Sequence, residues 1–146
     1  MTGSKTNGHF QRILIGYDGS QPSQRALEMG LTIASIRDSN VEVLAVVQPP
    51  EPSTSVELHA VIDEGRQHYE RALRKIADAA KGNGIHVETS IVVGHPAEQI
   101  IQRAEQSHAD LIVVGRRGIS KFENLILGSV SERVLTYAPC PVLVTR

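Results

Sequence analysis

The residues best suited to chemistry lie in one stretch: Gly115-Arg116-Arg117-Gly118, then nine residues, then Gly128-Ser129-Val130-Ser131. Glycine at 115 and 118 lets a backbone turn tightly and approach a ligand with no Cβ in the way. Gly128 can do the same where the chain enters a helix, and Ser129 and Ser131 open that helix. The free N–H groups and dipole of a helix start favour an anion. Arg116, Arg117 and Lys121 set three cations against one acid, Glu123, between positions 115 and 128. Such a loop suits a run of phosphates. It is not a Walker A loop, because position 120 is Ser where that pattern needs its Gly-Lys-Ser/Thr ending. Gly16 and Gly19 after the first apolar run do not make a Gly-x-Gly-x-x-Gly fingerprint either.

Each of these residues also has a plainer reading. Asp18 sits in Asp-Gly-Ser, which is common turn chemistry, or it closes the first strand against a ligand. Ser129 and Glu132 fit a capping box, so the Ser129 hydroxyl serves either the helix or a phosphate. Ser131 divides evenly between the same two roles. Arg116, Arg117 and Lys121 either hold phosphate or form a solvated charged loop. His59 and His68 are nine apart on one helical stretch and lack the i, i+4 spacing of a helical metal pair. His86, His95 and His108 flank other elements, and no metal site is assigned. No nucleophile–base pair or carboxylate dyad converges in the sequence, so no catalytic residue is assigned. Cys140 lies between Pro139 and Pro141 with no second cysteine to pair with, and reads as a buried structural thiol.

The elements that must position these residues alternate along the whole chain. Short apolar runs at 13–17, 41–47, 86–93, 111–114 and 142–144 read as strands covered on both faces. Helical patterns lie between them. Residues 22–37 carry Ala26, Leu27, Gly30, Leu31, Ile33 and Ala34 on one side. Residues 55–81 step by three and four, with one longer gap around Gly65, after a Thr54/Glu57 capping box and before Gly82-Asn83-Gly84. A third helix starts at Pro96, and a fourth follows Gly128 until Pro139 breaks it. The order β-α-β-α-β-α-β-α-β predicts an α/β fold with a mainly parallel sheet and helices on both faces. Ligands of such sheets sit outside the carboxyl ends of the strands, where the strand order reverses. That directs attention to the loops after the first, second and fourth strands.

Composition bounds the remaining possibilities. A chain of 146 residues suits one domain, here 11–146, with a polar tail over 1–10 expected to be flexible. Hydrophobic residues make up 40% and aromatics only 3%, so the core must be aliphatic. A formal net charge of −1 argues against a broad electrostatic footprint for nucleic acid. No apolar run in the first ten residues reads as a signal peptide, and no stretch approaches a membrane span. The expected location is the cytoplasm.

Taken together, these segments resemble the universal stress protein family. Gly-x2-Gly-x9-Gly-Ser/Thr after the fourth strand is that family's ATP-loop signature, and residues 115–129 match it. Ile13-Leu14-Ile15-Gly16-Tyr17-Asp18-Gly19-Ser20 resembles its first strand and Asp-x-Ser turn. Ala109 to Gly115, Gly128 to Val134 and Cys140 to Val144 resemble its fourth strand and closing segments, so the likeness covers residues 11–146. The resemblance implies a five-stranded, three-layer, Rossmann-like fold with strand order 3-2-1-4-5 and a switch point between the first and fourth strands. It implies that Asp18 meets adenosine, that Val46 hydrogen-bonds adenine through its backbone, and that Gly115, Arg116, Gly118, Gly128 and Ser129 line ribose and phosphates. Val130 and Ser131 then stand at the helix entrance. The implied ligand is ATP, with Mg²⁺ held mainly by phosphates and water.

The family likeness also implies a homodimer formed through the last strand, and Val142, Leu143 and Val144 at a sheet edge agree with that. Arg at both 116 and 117 departs from common members. The function implied is a nucleotide-dependent stress-response module, with slow ATP hydrolysis or autophosphorylation on Ser or Thr left open. A cyclic-AMP-binding member and a dimeric interaction module without nucleotide are the alternatives. Nucleotidyl transferases and ATP pyrophosphatases on related folds would need His-x-Gly-His or Ser-Gly-Gly-x-Asp-Ser after the first strand. Here that turn reads Tyr17-Asp18-Gly19-Ser20.

Overall fold

The structure, a computed structural model, describes residues 9–50, 54–116 and 128–146. Strands β1 (Arg12–Gly16), β2 (Asn40–Val47), β3 (Val87–Val93), β4 (Leu111–Gly115) and β5 (Val142–Thr145) alternate with helices α1 (Gln21–Arg37), α2 (Ser55–Gly82), α3 (Pro96–Ser107) and α4 (Ser129–Tyr137). The strands form one sheet in the order β3-β2-β1-β4-β5, with every pair parallel. The alternating pattern and the implied strand order are both observed.

Side-chain alternation divides the core in two. Ile13, Ile15, Val41, Val43, Leu111 and Val113 face Ala26 and Leu27 of α1 and Leu73 of α2. Leu14, Leu44, Ile112 and Val114 face Ala97 and Ile100 of α3 and Val134 of α4. The result is three layers, helix on sheet on helix, with an aliphatic centre. The gap in the α2 pattern at Gly65 has a steric cause: a Cβ there would lie 2.8 Å from Val47 Cγ1. Glycine lets α2 descend onto the end of β2.

Local chemistry starts and stops the helices, and at α2 it is the Thr54/Glu57 capping box that the sequence predicts. The Ser20 hydroxyl accepts the Ser23 N–H at 3.3 Å and caps α1. Thr54 and Glu57 form the reciprocal capping box of α2, at 3.2 Å and 3.1 Å. Asp38 and His108 close α1 and α3 in the left-handed conformation, with φ of 55° and 54°. At the opposite end of the sheet, Asp110 accepts the Gln11 and Arg12 N–H groups at 2.8 and 2.9 Å, which pins the start of β1 to the start of β4.

One buried charge stands on the α3 face of β2. Glu42, 9% exposed, accepts Arg103 Nε at 2.8 Å and the Ser90 hydroxyl at 2.6 Å. Cys140 is half-buried among the α3- and α4-facing side chains, and burial raises its thiol pKa. A raised pKa leaves less thiolate at any given pH, and the thiolate is the nucleophile. Alkylation of the native protein at pH 8 should therefore run well below the rate for a free thiol and recover in urea. Equal rates in the two conditions would show that the thiol is not protected. Among the described residues, no helix is long and apolar enough to cross a membrane.

Candidate functional site

The site is built from unequal strand lengths. In a parallel ladder, a residue's N–H and C=O point to one side and those of the next residue to the other. The Tyr17 N–H donates to the Leu44 carbonyl at 2.9 Å, so Leu44 turns its backbone toward β1. Val46, two residues on, does the same. Yet β1 ends at Gly16, in register with Leu44. The Val46 amide and carbonyl therefore point into the space beyond the end of β1. The same holds on the other side. Arg116 donates its N–H to the Thr145 carbonyl on β5, so Gly115 turns its backbone back toward β1. The centre strand stops short, and its two neighbours leave polar backbone facing a crevice whose floor is Gly16-Tyr17-Asp18.

Two helix starts flank this crevice. On one face, Asp18 Oδ1 accepts the Ser20 N–H at 2.9 Å, and the Asp18 N–H donates to Ser23 Oγ at 3.3 Å. Gly19 turns the chain with φ of 83°. Asp18 thus serves the turn reading with one oxygen. Its side chain is exposed, and no described group bonds Oδ2. On the other face, Gly128 caps α4, and its N–H donates to the Arg116 carbonyl at 2.7 Å. The buried Ser131 hydroxyl donates to that same carbonyl, with the Gly128 carbonyl 3.2 Å away. Both lone pairs of the Arg116 carbonyl are used, so the chain leaves β4 and re-enters α4 at one pinned point. The first amides of α4, those of Ser129, Val130 and Ser131, have no partner within the helix.

The predicted residues can now be placed. Asp18, Val46, Gly115, Arg116, Gly128, Ser129, Val130 and Ser131 gather at the carboxyl end of the sheet around the β1/β4 switch point. Gly118, Arg117, Lys121 and Glu123 lie outside the described residues, as do 51–53 between β2 and α2 and 1–8 of the tail. Three of the readings change. The capping box of Ser129 with Glu132 is not formed, because Gly128 occupies the cap and Ser129 is the first helical residue, with its side chain exposed. The Ser131 hydroxyl bonds backbone rather than facing the crevice. Gly115 has a different reason to be glycine from the one read in the sequence. A Cβ there would lie 2.6 Å from the Pro22 carbonyl carbon and 2.8 Å from the Ser23 nitrogen, so it makes room for α1. The Arg116 side chain is half-buried, and no described carboxylate lies within ion-pair distance of it.

Three residues escaped the sequence reading. Ser23, 4% exposed, supports the Asp18 amide; the Ser20-x-x-Ser23 spacing was a signal for it. Tyr69, read as one more apolar position of α2, packs near Tyr17. Burial raises the pKa of its phenol, with the Asp18 charge adding to the effect. Thr145 carries a hydrogen bond to the first turn of α1 that nothing local announces. Outside the ends of β2 and β3, Gln48, Pro49, Pro50, Val61 and His95 line a hollow of about 470 Å³. No group of three metal-ligating side chains is present among the described residues.

Known proteins share this architecture and about a third of the sequence. The profile of the universal stress protein family matches residues 9–146. A universal stress protein of Methanocaldococcus jannaschii is 35% identical over 144 residues, covering 94% of this chain and 82% of that protein. Universal stress protein UspA from Lactobacillus plantarum superposes with a TM-score of 0.89 at 28% identity, over 96% of this chain and 100% of its own. A universal stress protein solved in complex with cAMP superposes with a TM-score of 0.74 at 29% identity, over 95% and 99% of the two chains.

Proposed function

The chain belongs to the universal stress protein family, and on that premise we propose that it binds an adenine nucleotide, ATP with Mg²⁺, as a nucleotide-dependent regulatory module of the cytoplasm. The observation that carries this reading is the crevice beyond β1, with the Val46 backbone on one side and the α4 entrance on the other. The Val46 N–H and C=O offer the paired donor and acceptor that the edge of adenine requires. Asp18, whose Oδ2 no described group bonds, would accept a hydrogen bond from a ribose hydroxyl. Gly115 and Gly128 bring backbone close to the phosphates, while Arg116 and the first amides of α4, those of Ser129, Val130 and Ser131, supply positive potential. Gly118 belongs to the same phosphate loop. Ser131 acts by pinning the loop ends. Mg²⁺ would be held by phosphate oxygens and water, since no protein cage is needed for it.

The test is to identify the small molecule released from freshly purified protein and to titrate the stripped protein with ATP, ADP and cyclic AMP. Saturable ATP binding is expected. Arg116→Ala should weaken ATP about tenfold, or ~1.4 kcal/mol, and leave adenosine almost untouched. A protein that takes up none of the three overturns the reading. The relative bound to cAMP favours one second reading, in which cyclic AMP is the better ligand, and the same titration separates them.

The dimer belongs to the proposal as well. Val142 and Val144 turn their backbone groups away from β4 at the sheet edge, and all four β5 residues are partly exposed. Such an edge invites a second strand. Sedimentation should give a dimer, and Val144→Pro should give a monomer.

A further inference from the structure

We propose that Thr145 is a positioning residue for the nucleotide crevice, joining the edge strand β5 to both helix entrances that flank it; this rests on the function proposed above. Thr145 is the last residue of β5 and stands in register with Gly115. The two lie side by side beneath the first turn of α1. Gly115 leaves the space that this turn occupies, and Thr145 supplies the bond that holds it there. Its hydroxyl donates to the Pro22 carbonyl at 2.9 Å, with the Val114 carbonyl farther off at 3.4 Å. Pro22 is followed by Ser23, whose hydroxyl accepts the Asp18 N–H. One path therefore runs from the edge strand through α1 to the residue assigned to the ribose.

A second path leaves the same residue. The Thr145 carbonyl accepts the Arg116 N–H, and the Arg116 carbonyl accepts from Gly128 and Ser131 at the α4 entrance. Next along the chain, Arg25 Nη1 donates to the Arg146 carbonyl at 2.7 Å, a further tie between the end of β5 and α1. The backbone path survives any substitution at 145. The hydroxyl path does not, and it is the one that sets the distance between α1 and the strand pair β4–β5. Serine keeps this donor; valine keeps the shape and loses it.

The experiment uses the full chain with Thr145→Val and Thr145→Ser. Hydrogen exchange without nucleotide reads the amides of Ser23, Gln24 and Ala26 against those of β2 and β3. Titration with ATP and Mg²⁺ reads the crevice. In Thr145→Val the α1 amides should exchange faster while those of β2 and β3 hold. ATP should bind about five- to tenfold more weakly, the scale of one neutral hydrogen bond that orders a site. Thr145→Ser should restore both. Unchanged ATP affinity in Thr145→Val overturns the proposal, as does faster exchange spread evenly over the domain. A wild-type protein that binds no adenine nucleotide overturns the proposed function itself, and with it any positioning role.

Discussion

Gly115→Ala should cost about 3 kcal/mol of stability, because the new methyl has nowhere to go. Its Cβ would lie 2.6 to 2.8 Å from the Pro22 and Ser23 atoms, and two of those three contacts are with backbone rather than a side chain that can swing aside. The first turn of α1 must lift, and with it Ser23 and the Asp18 amide that Ser23 supports. For a chain of this length the loss corresponds to a fall in Tm of roughly 6–12 °C. Nucleotide affinity should fall with it, since the floor and one wall of the crevice move together. Gly82→Ala is the control. A Cβ at that helical position meets nothing within 4 Å, so the change should be neutral or stabilise slightly. Equal melting temperatures for the two variants would show that α1 is not seated on Gly115.

Arg103→Ala should be the costlier half of an asymmetric pair. Glu42 is buried on the sheet, whereas 38% of the Arg103 side chain remains exposed. Removing Arg103 strands a largely buried carboxylate, its side chain 11% exposed, with the Ser90 hydroxyl as its remaining described side-chain partner. Losing one partner of a buried pair costs several kcal/mol; solvent at the Arg103 end reduces the expectation to about 2 kcal/mol. Glu42→Leu should cost less, because Arg103 can extend into solvent. Replacing both with leucine should come within about 1 kcal/mol of the parent, as for other buried pairs exchanged for apolar groups. Urea titrations of the three variants measure all of this. A double variant as unstable as Arg103→Ala alone would mean that packing, not charge, decides the site.

The element order was legible because each element carries its own signal. The five apolar runs are short, four helical stretches lie between them, and Thr54, Pro96 and Pro139 mark starts and stops by local chemistry. Glu42 shows the limit of that legibility. Within Val41-Glu42-Val43-Leu44, an acid flanked by buried valines needs a partner if both faces are covered. Nothing in the sequence says that the partner is Arg103, sixty-one positions away. The Ser129/Glu132 pattern failed in another way. The spacing permits a capping box, but the Arg116 carbonyl draws the Gly128 N–H and the Ser131 hydroxyl, and so places the helix start one residue earlier.

By itself the sequence determined the order of the elements, and so which loops, those after β1, β2 and β4, leave the carboxyl end of the sheet. Short apolar runs, helix period, turn residues and glycine spacing are local properties that each segment carries wherever it lies. Tertiary structure alone decided what those residues do once gathered. β1 stops two residues below Val46, so among the described residues that backbone points beyond the strand end rather than forming one more rung of the ladder. The Cβ position of Gly115 faces α1 instead of the crevice because of the strand's pleat and the helix packed above it. Thr145 meets Pro22 because β5 and α1, at opposite ends of the chain, are neighbours in space. Contacts of that kind depend on relative placement of whole elements, which no short window of residues encodes.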